Sequence, residues 1–380
     1  MSYVKILTQK QLINPPRYVY DSMHYETIMG SDAYGVSSSA SDFDIYGFCI
    51  PWKNMIFPHI DGYIDGFGKR LNKFENWQEH HVISKDENRE YDFSIYNIIK
   101  YFHLCAENNP NMIDSLFTPQ RCILHCSKIG DMVRANRTRF LSKATFHKFR
   151  GYAYSQLNKI RIKHQNAKKL FEFEDKYFPK INQFDAEEIF NFLKSEIELF
   201  DFMEQFEIDS EEYNKYDSII KILTDSDTYD FKTYEKLLYD YIQIKTKRTE
   251  RVRKYGLDTK FAYHVFRLLD EAHEILSTGN LTLDKKDRRE IMKAIRANEW
   301  TFEDIGNYFE RQQKVLEGLY DKSTAVPHNT NWDDIKSLLI NCLEENFGDL
   351  SNVVQKDKST DAIINEIEEV LRKYRTVKSK

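Results

Sequence analysis

Glycine and proline are scarce in this chain, 13 and 8 among 380 residues. So few turn-formers exclude a loop-rich or collagen-like protein and point to long helices joined by few tight turns. Cysteine is scarcer still: Cys49, Cys105, Cys122, Cys126 and Cys342 are odd in number and set mostly in apolar surroundings. That usage suits a reducing compartment and not a disulfide framework. No run approaches the ~18 apolar residues of a membrane span, and the opening MSYVKILTQKQLINPP lacks the apolar core of a secretory signal. A soluble, cytoplasmic protein is expected. Excess positive charge is also missing. The net charge of -5 argues against coating nucleic acid by bulk electrostatics, while leaving room for a local basic groove.

What is present is an ordinary globular balance over a length that accommodates two domains. The first 130 residues read as mixed: a helix running into a turn or short strand over 18–30, strands over 43–50 and 91–96, a short helix over 98–106 closed by NNPN, and a buried segment from 112. Helical periodicity then takes over, with helices expected near 130–170, 185–205, 210–224, 232–252, 258–277, 284–297, 301–318, 332–346 and 360–375. The fold class is therefore α+β, a small mixed β-sheet domain followed by a helical domain. The division expected is 1–130, then 131–320 with an acidic helical insertion near 168–240, then a C-terminal helical segment at 321–380.

The chemistry concentrates in GSDAYGVSSSASDFDIYGFCIP, residues 30–51. Gly30 lets backbone approach a phosphate closely, and Ser31 adds a hydroxyl donor. Asp42 and Asp44, spaced i, i+2 at the head of an apolar strand, put both carboxylates on one face. Two adjacent carboxylates repel unless a cation lies between them. All-oxygen donors suit Mg²⁺ or Mn²⁺, which take their remaining ligands from water and substrate phosphates. A pair of such ions serves an in-line phosphoryl displacement. The structural alternative is that Ser-x-Asp-x-Asp caps a turn ahead of the strand.

Gly-Ser, a short gap, then Asp-x-Asp on a strand resembles the DNA polymerase beta-like nucleotidyltransferase superfamily. The fuller motif resembles its RlaP-like, RNA-repair-associated branch in bacteria and phages. NNPNMIDSLF, GYAYSQLN and KYGLDTKFAYHVFRLLDEAHEILSTGNL add weaker likeness in the same order, over about residues 15–310. The abundance of Lys, Asn, Asp and Tyr is also what an AT-rich bacterial or phage gene would give. The resemblance implies a third carboxylate on a later strand. Asp92 is the match and Glu90 the fallback, acting as metal ligand and as base toward an attacking hydroxyl. It further implies transfer of a nucleoside monophosphate from an NTP to an acceptor. RNA is the first expectation for that acceptor, otherwise a protein or small molecule, with no membrane involved. A nucleotide-binding protein without turnover and a metal-dependent phosphodiesterase are the rival readings.

A second candidate group lies on the helix after Asp258, where Lys260, His264 and Arg267 share one face and can meet a triphosphate. Surface charge paired with nearby acids is the plainer reading. Four other features carry bland expectations. Cys122, His125 and Cys126 lack a second ligand pair for zinc. His80-His81 is a solvated pair by default. Gln156, Lys159 and Lys163 on the helix from Arg150 line a groove or merely an exposed face. The run 245–254, with six basic residues and one acidic, is a solvated helix face or a track for a nucleic-acid backbone.

Overall fold

The computed structural model describes residues 2–37, 42–68, 73–87, 89–177 and 257–351, with Ile367 and Leu371; for 163, 164 and 166–177 it describes the backbone alone. The helices expected at 185–205, 210–224 and 232–252, most of the acidic insertion and the basic run 245–254 lie outside the described residues. So does nearly all of 360–375.

The chain divides into two compact units, Met1–Ala144 with Thr282–Asp284 and Pro327–Lys380, and Thr145–Leu281 with Lys285–Val326. The first unit is built on a five-stranded sheet. Its strands are β1 (Met23–Ile28), β2 (Phe43–Cys49), β3 (Asn76–Ser84), β4 (Arg89–Asn97) and β5 (Ile123–Cys126), in spatial order β3-β4-β2-β1-β5. Only the β2–β4 pairing is parallel; the others are antiparallel. This is the mixed sheet expected.

Alternation along β2 and β4 explains how the sheet is covered. Ile45, Cys49, Tyr91, Phe93 and Ile95 face one side and pack with Val4, Leu7, Ile13 and Val19. These last come from α1 (Tyr3–Gln9), α2 (Arg17–Tyr20) and the turn between them. The buried carboxylate of Glu26 fixes α1 by accepting from Ser2 Oγ at 2.9 Å, Tyr3 N at 2.6 Å and Val4 N at 2.9 Å. On the opposite face Phe48 meets Tyr25 and Tyr101, ring centroids 5.8 and 5.0 Å away. The short α3 is Lys53–Ile56; Tyr101 belongs to α4 (Ile98–Ala106), which is followed by α5 (Pro110–Phe117). The NNPN turn divides them as its residue types dictate. Asn108 takes a left-handed φ of 56°, Asn109 caps α5, and Pro110 occupies its first turn, where a missing N–H costs nothing.

The single helix expected over 130–170 is broken into α6 (Lys128–Ala135), a 3-10 turn and α7 (Ala144–Tyr177). The segment after 321 is also shared out differently from the expected division. Residues 321–326 close the second unit, while α11 (Trp332–Phe347) packs on the first. There Trp332 lies 5.7 Å from His103, Arg139 pairs with Asp334 at 3.0 Å, and Lys128 pairs with Glu345 at 2.8 Å.

The second unit holds most of α7 with α8 (Thr259–Thr278), α9 (Lys286–Arg296) and α10 (Phe302–Lys322). Caps set these boundaries: Asp258 accepts from the first turn of α8, and Thr301 with Asp304 forms a capping box on α10. No helix among the described residues is long and apolar enough to cross a membrane.

Candidate active site

The Gly30 turn is held from several sides. Met29 N–H donates to Asp44 O at 2.7 Å, carrying the β1–β2 ladder to the edge of the turn. Gly30 then adopts φ 68°, and Tyr34 N–H and Val36 N–H donate back to Gly30 O and Ser31 O at 3.3 and 2.9 Å. The Tyr34 hydroxyl anchors the far side by donating to buried Asp114 at 2.8 Å, and Arg121 donates to Asp32 O at 3.0 Å. Residues 31–35 form turns, and 38–41 lie outside the described residues.

Asp44 leans on this turn. A Cβ built on Gly30 would lie 2.5 Å from Asp44 Oδ2, closer than any ordinary contact. Glycine is therefore required twice over, for its φ and for the carboxylate that occupies the space a side chain there would need. Asp44 is half-buried, and Asp42, two residues earlier, is exposed. In the parallel ladder Asp44 stands opposite Asp92. Both therefore project from the same face of the sheet, with Glu90 two residues before Asp92. Tyr46 follows on that face; burial, with the charges of Asp44 and Asp92 adding to it, pushes its phenol up to about 12.

The edge strand β3 supplies residues that the sequence reading treated as solvated. Its ladder to β4 slips between Glu79 and Val82. There His81 N–H donates to Asp92 Oδ1 at 2.8 Å, and His81 Nδ1 lies 2.5 Å from Glu90 Oε1. His80 Nδ1 is 3.5 Å from Asp92 Oδ1. The hydrogen bond with Glu90 is the main cause raising the His81 pKa above its ordinary value. His81, Glu90 and Asp92 bring one ligand atom each within 4.8 Å of one another, and Asp42 and Asp44 stand outside that group.

The helical candidates divide. Lys260 is exposed and His264 half-buried on α8. Arg267 is not on an open face: it is 3% exposed and its Nη1 donates to both oxygens of fully buried Glu271, at 3.3 and 3.1 Å. Their i, i+4 spacing makes this an ion pair internal to the helical unit. On α7 the ammonium of Lys159 lies 5.5 Å from the centre of the Phe261 ring. The cysteine pair is committed elsewhere. Cys126 Sγ donates to Asp131 at 3.2 Å with its thiol pushed up to about 12 by burial, and His125 Nε2 contacts Met23 O at 3.2 Å.

Residues 9–173 match the RlaP family, described as an RNA repair pathway DNA polymerase beta family. The RlaP match includes Gly30, Ser31, Asp42, Asp44, His81, Glu90 and Asp92 and ends well before Lys260, a shorter span than the resemblance in the sequence suggested. A polymerase beta description of this kind suggests nucleotidyltransferase-type activity. The chain is also similar to an uncharacterized 38.9 kDa protein encoded in the nrdC-mobD intergenic region of Enterobacteria phage T4, 25% identical over 140 residues. That alignment covers 36% of this chain and 38% of the phage protein, well under half of either. No solved structure matches.

Proposed function

We propose that this chain is a metal-dependent nucleotidyltransferase. It moves a nucleoside monophosphate from an NTP to an acceptor hydroxyl, an RNA end in preference to a protein or small molecule, and releases pyrophosphate. The observation that carries the reading is that the Asp44 carboxylate occupies the space a side chain at Gly30 would need. It brings a cation-binding oxygen to a turn whose backbone suits an anion. Asp42 before it and Asp92 opposite it extend the acidic row. Oxygen donors on a partly solvated face fit Mg²⁺ or Mn²⁺ held by Asp42, Asp44 and Asp92. Bound there, divalent ions neutralise charge on the phosphates as it builds in the transition state.

The protein's own contribution is positioning. The Gly30 backbone and Ser31 hydroxyl hold the triphosphate, and Asp42 and Asp44 would hold the divalent ion beside it. Asp92 accepts the proton of the acceptor hydroxyl as its oxygen bonds to the α-phosphorus and the bond to pyrophosphate breaks. Lys260 and His264 keep a candidate phosphate-binding role on their chemistry alone. The RNA preference rests on the description of the matched family.

The test incubates the purified full chain with each labelled NTP, Mg²⁺ or Mn²⁺, and total RNA or total protein, then digests the products to find which polymer carries label. Asp42→Ala and Asp44→Ala should each lower incorporation by about 10³-fold, the equivalent of roughly 4 kcal/mol of lost charge stabilisation. Incorporation unchanged in both variants overturns the assignment. NTP binding without pyrophosphate release would indicate a binding protein, and nucleotide release from RNA without NTP a phosphodiesterase.

A further inference from the structure

The slip in the β3–β4 ladder changes where two consecutive histidines point. In a regular strand neighbouring side chains face opposite sides, but an inserted residue re-aims them. Here both His80 and His81 reach the acids of β4: His80 Nδ1 lies 3.5 Å from Asp92, His81 N–H donates to that same carboxylate, and the His81 ring meets Glu90. His81 holds φ 59° to do so. That left-handed conformation is uncommon for a residue with a side chain and costs on the order of 1 kcal/mol or more, so the surrounding contacts must maintain it.

The donor atoms of His81, Glu90 and Asp92 lie within 4.8 Å of one another. One ion about 2.1 Å from each donor needs them within about 4.2 Å of one another. An ion entering there would replace the 2.5 Å His81–Glu90 hydrogen bond as the exposed His81 ring and the half-buried Glu90 and Asp92 carboxylates turn towards it.

We propose that the β3 bulge makes His81, Glu90 and Asp92 a mixed nitrogen–oxygen subsite for a first-row divalent ion, on the β3 side of the acidic row. An imidazole donor favours such an ion over Mg²⁺, which prefers oxygen. The subsite rests on the transferase reading only in sharing Asp92 with it.

Mn²⁺ is the probe, added to the full chain without nucleotide or RNA. Binding is followed by titration, and the bound ion by pulsed electron paramagnetic resonance for coupling to a directly ligated ¹⁴N. The subsite requires imidazole coupling in the wild-type protein. His81→Asn keeps a residue tolerant of φ above zero while removing the imidazole, and should abolish the coupling and weaken binding at least tenfold. A wild-type spectrum without nitrogen coupling, or equal Mn²⁺ affinity in His81→Asn, overturns the proposal. The outcomes separate the two claims: nucleotidyl transfer with a nitrogen-free Mn²⁺ spectrum defeats the subsite alone. Nitrogen-coupled Mn²⁺ in a chain that transfers nothing defeats the transferase reading and leaves the subsite standing.

Discussion

Gly30→Ala tests the contact on which the proposed function depends, and two of its effects can be separated. The first is backbone strain: φ 68° is left-handed, and an alanine there costs about 1–2 kcal/mol. The second is collision, because the added methyl would lie 2.5 Å from Asp44 Oδ2, where ordinary contact begins near 3.4 Å. The carboxylate must retreat by about 0.9 Å, the difference between those distances. A displacement of that size in a catalytic constellation costs on the order of 10²-fold in rate, about 2.7 kcal/mol. Gly62→Ala is the control, since Gly62 has φ 82° but nothing within 4 Å of the position its Cβ would take. Both variants should lose similar stability in a denaturant titration. Only Gly30→Ala should lose about two orders of magnitude in pyrophosphate release with the NTP and acceptor found by the labelling screen. If Gly30→Ala keeps a rate within about threefold of Gly62→Ala, the Asp44 carboxylate does no metal-holding work beside this turn.

Two further predictions concern stability. Burial pushes the His24 pKa down from 6.5 to about 4, against an opposing hydrogen bond from Asn346. The unfolded chain therefore binds the extra proton first, and stability should fall as pH drops from about 6.5 towards 4, by up to roughly 3 kcal/mol. His24→Gln should flatten that part of a plot of denaturant midpoint against pH; an unchanged slope would assign the acid sensitivity to other groups. Arg267→Ala removes the guanidinium that donates to both oxygens of fully buried Glu271 and should cost about 3–5 kcal/mol, most of it recovered by Arg267→Met with Glu271→Leu. Native stability in Arg267→Ala with weakened NTP binding would instead restore the phosphate-binding role expected from the sequence.

Much of the fold was legible where one periodicity ruled an entire segment. The head of strand β2 alternates, which sets Phe43 and Ile45 on the face opposite Asp42 and Asp44. Helices α8, α10 and α11 begin within two residues of their expected starts, because Asp258, Thr301 and Asn331 cap them. Arg267 was misread for a related reason. Helical spacing puts Lys260, His264 and Arg267 on one face but says nothing of how deep that face lies. The signal was nearby: Arg267 is flanked by Val265, Phe266, Leu268 and Leu269, all buried, and Glu271 follows at i+4. A cation inside such a run needs an internal partner; Asp270 at i+3 and Glu271 at i+4 both have the spacing, and Asp270 is taken by Arg288.

Strand β3 was missed because a bulge interrupts its period. Ile83, six from Trp77, is exposed, whereas the core-facing residues Trp77 and Val82 are five apart, an odd spacing that puts them on opposite faces of a regular strand. Yet both pack on the same core with Phe93 and Ile95. The bulge between Glu79 and Val82 shifts the phase by one residue and makes this possible. The clue in NWQEHHVIS is therefore an odd apolar spacing interrupted by His80-His81. Alternation alone discards such a strand, because the inserted residue that turns His81 towards Glu90 is the same one that erases the period.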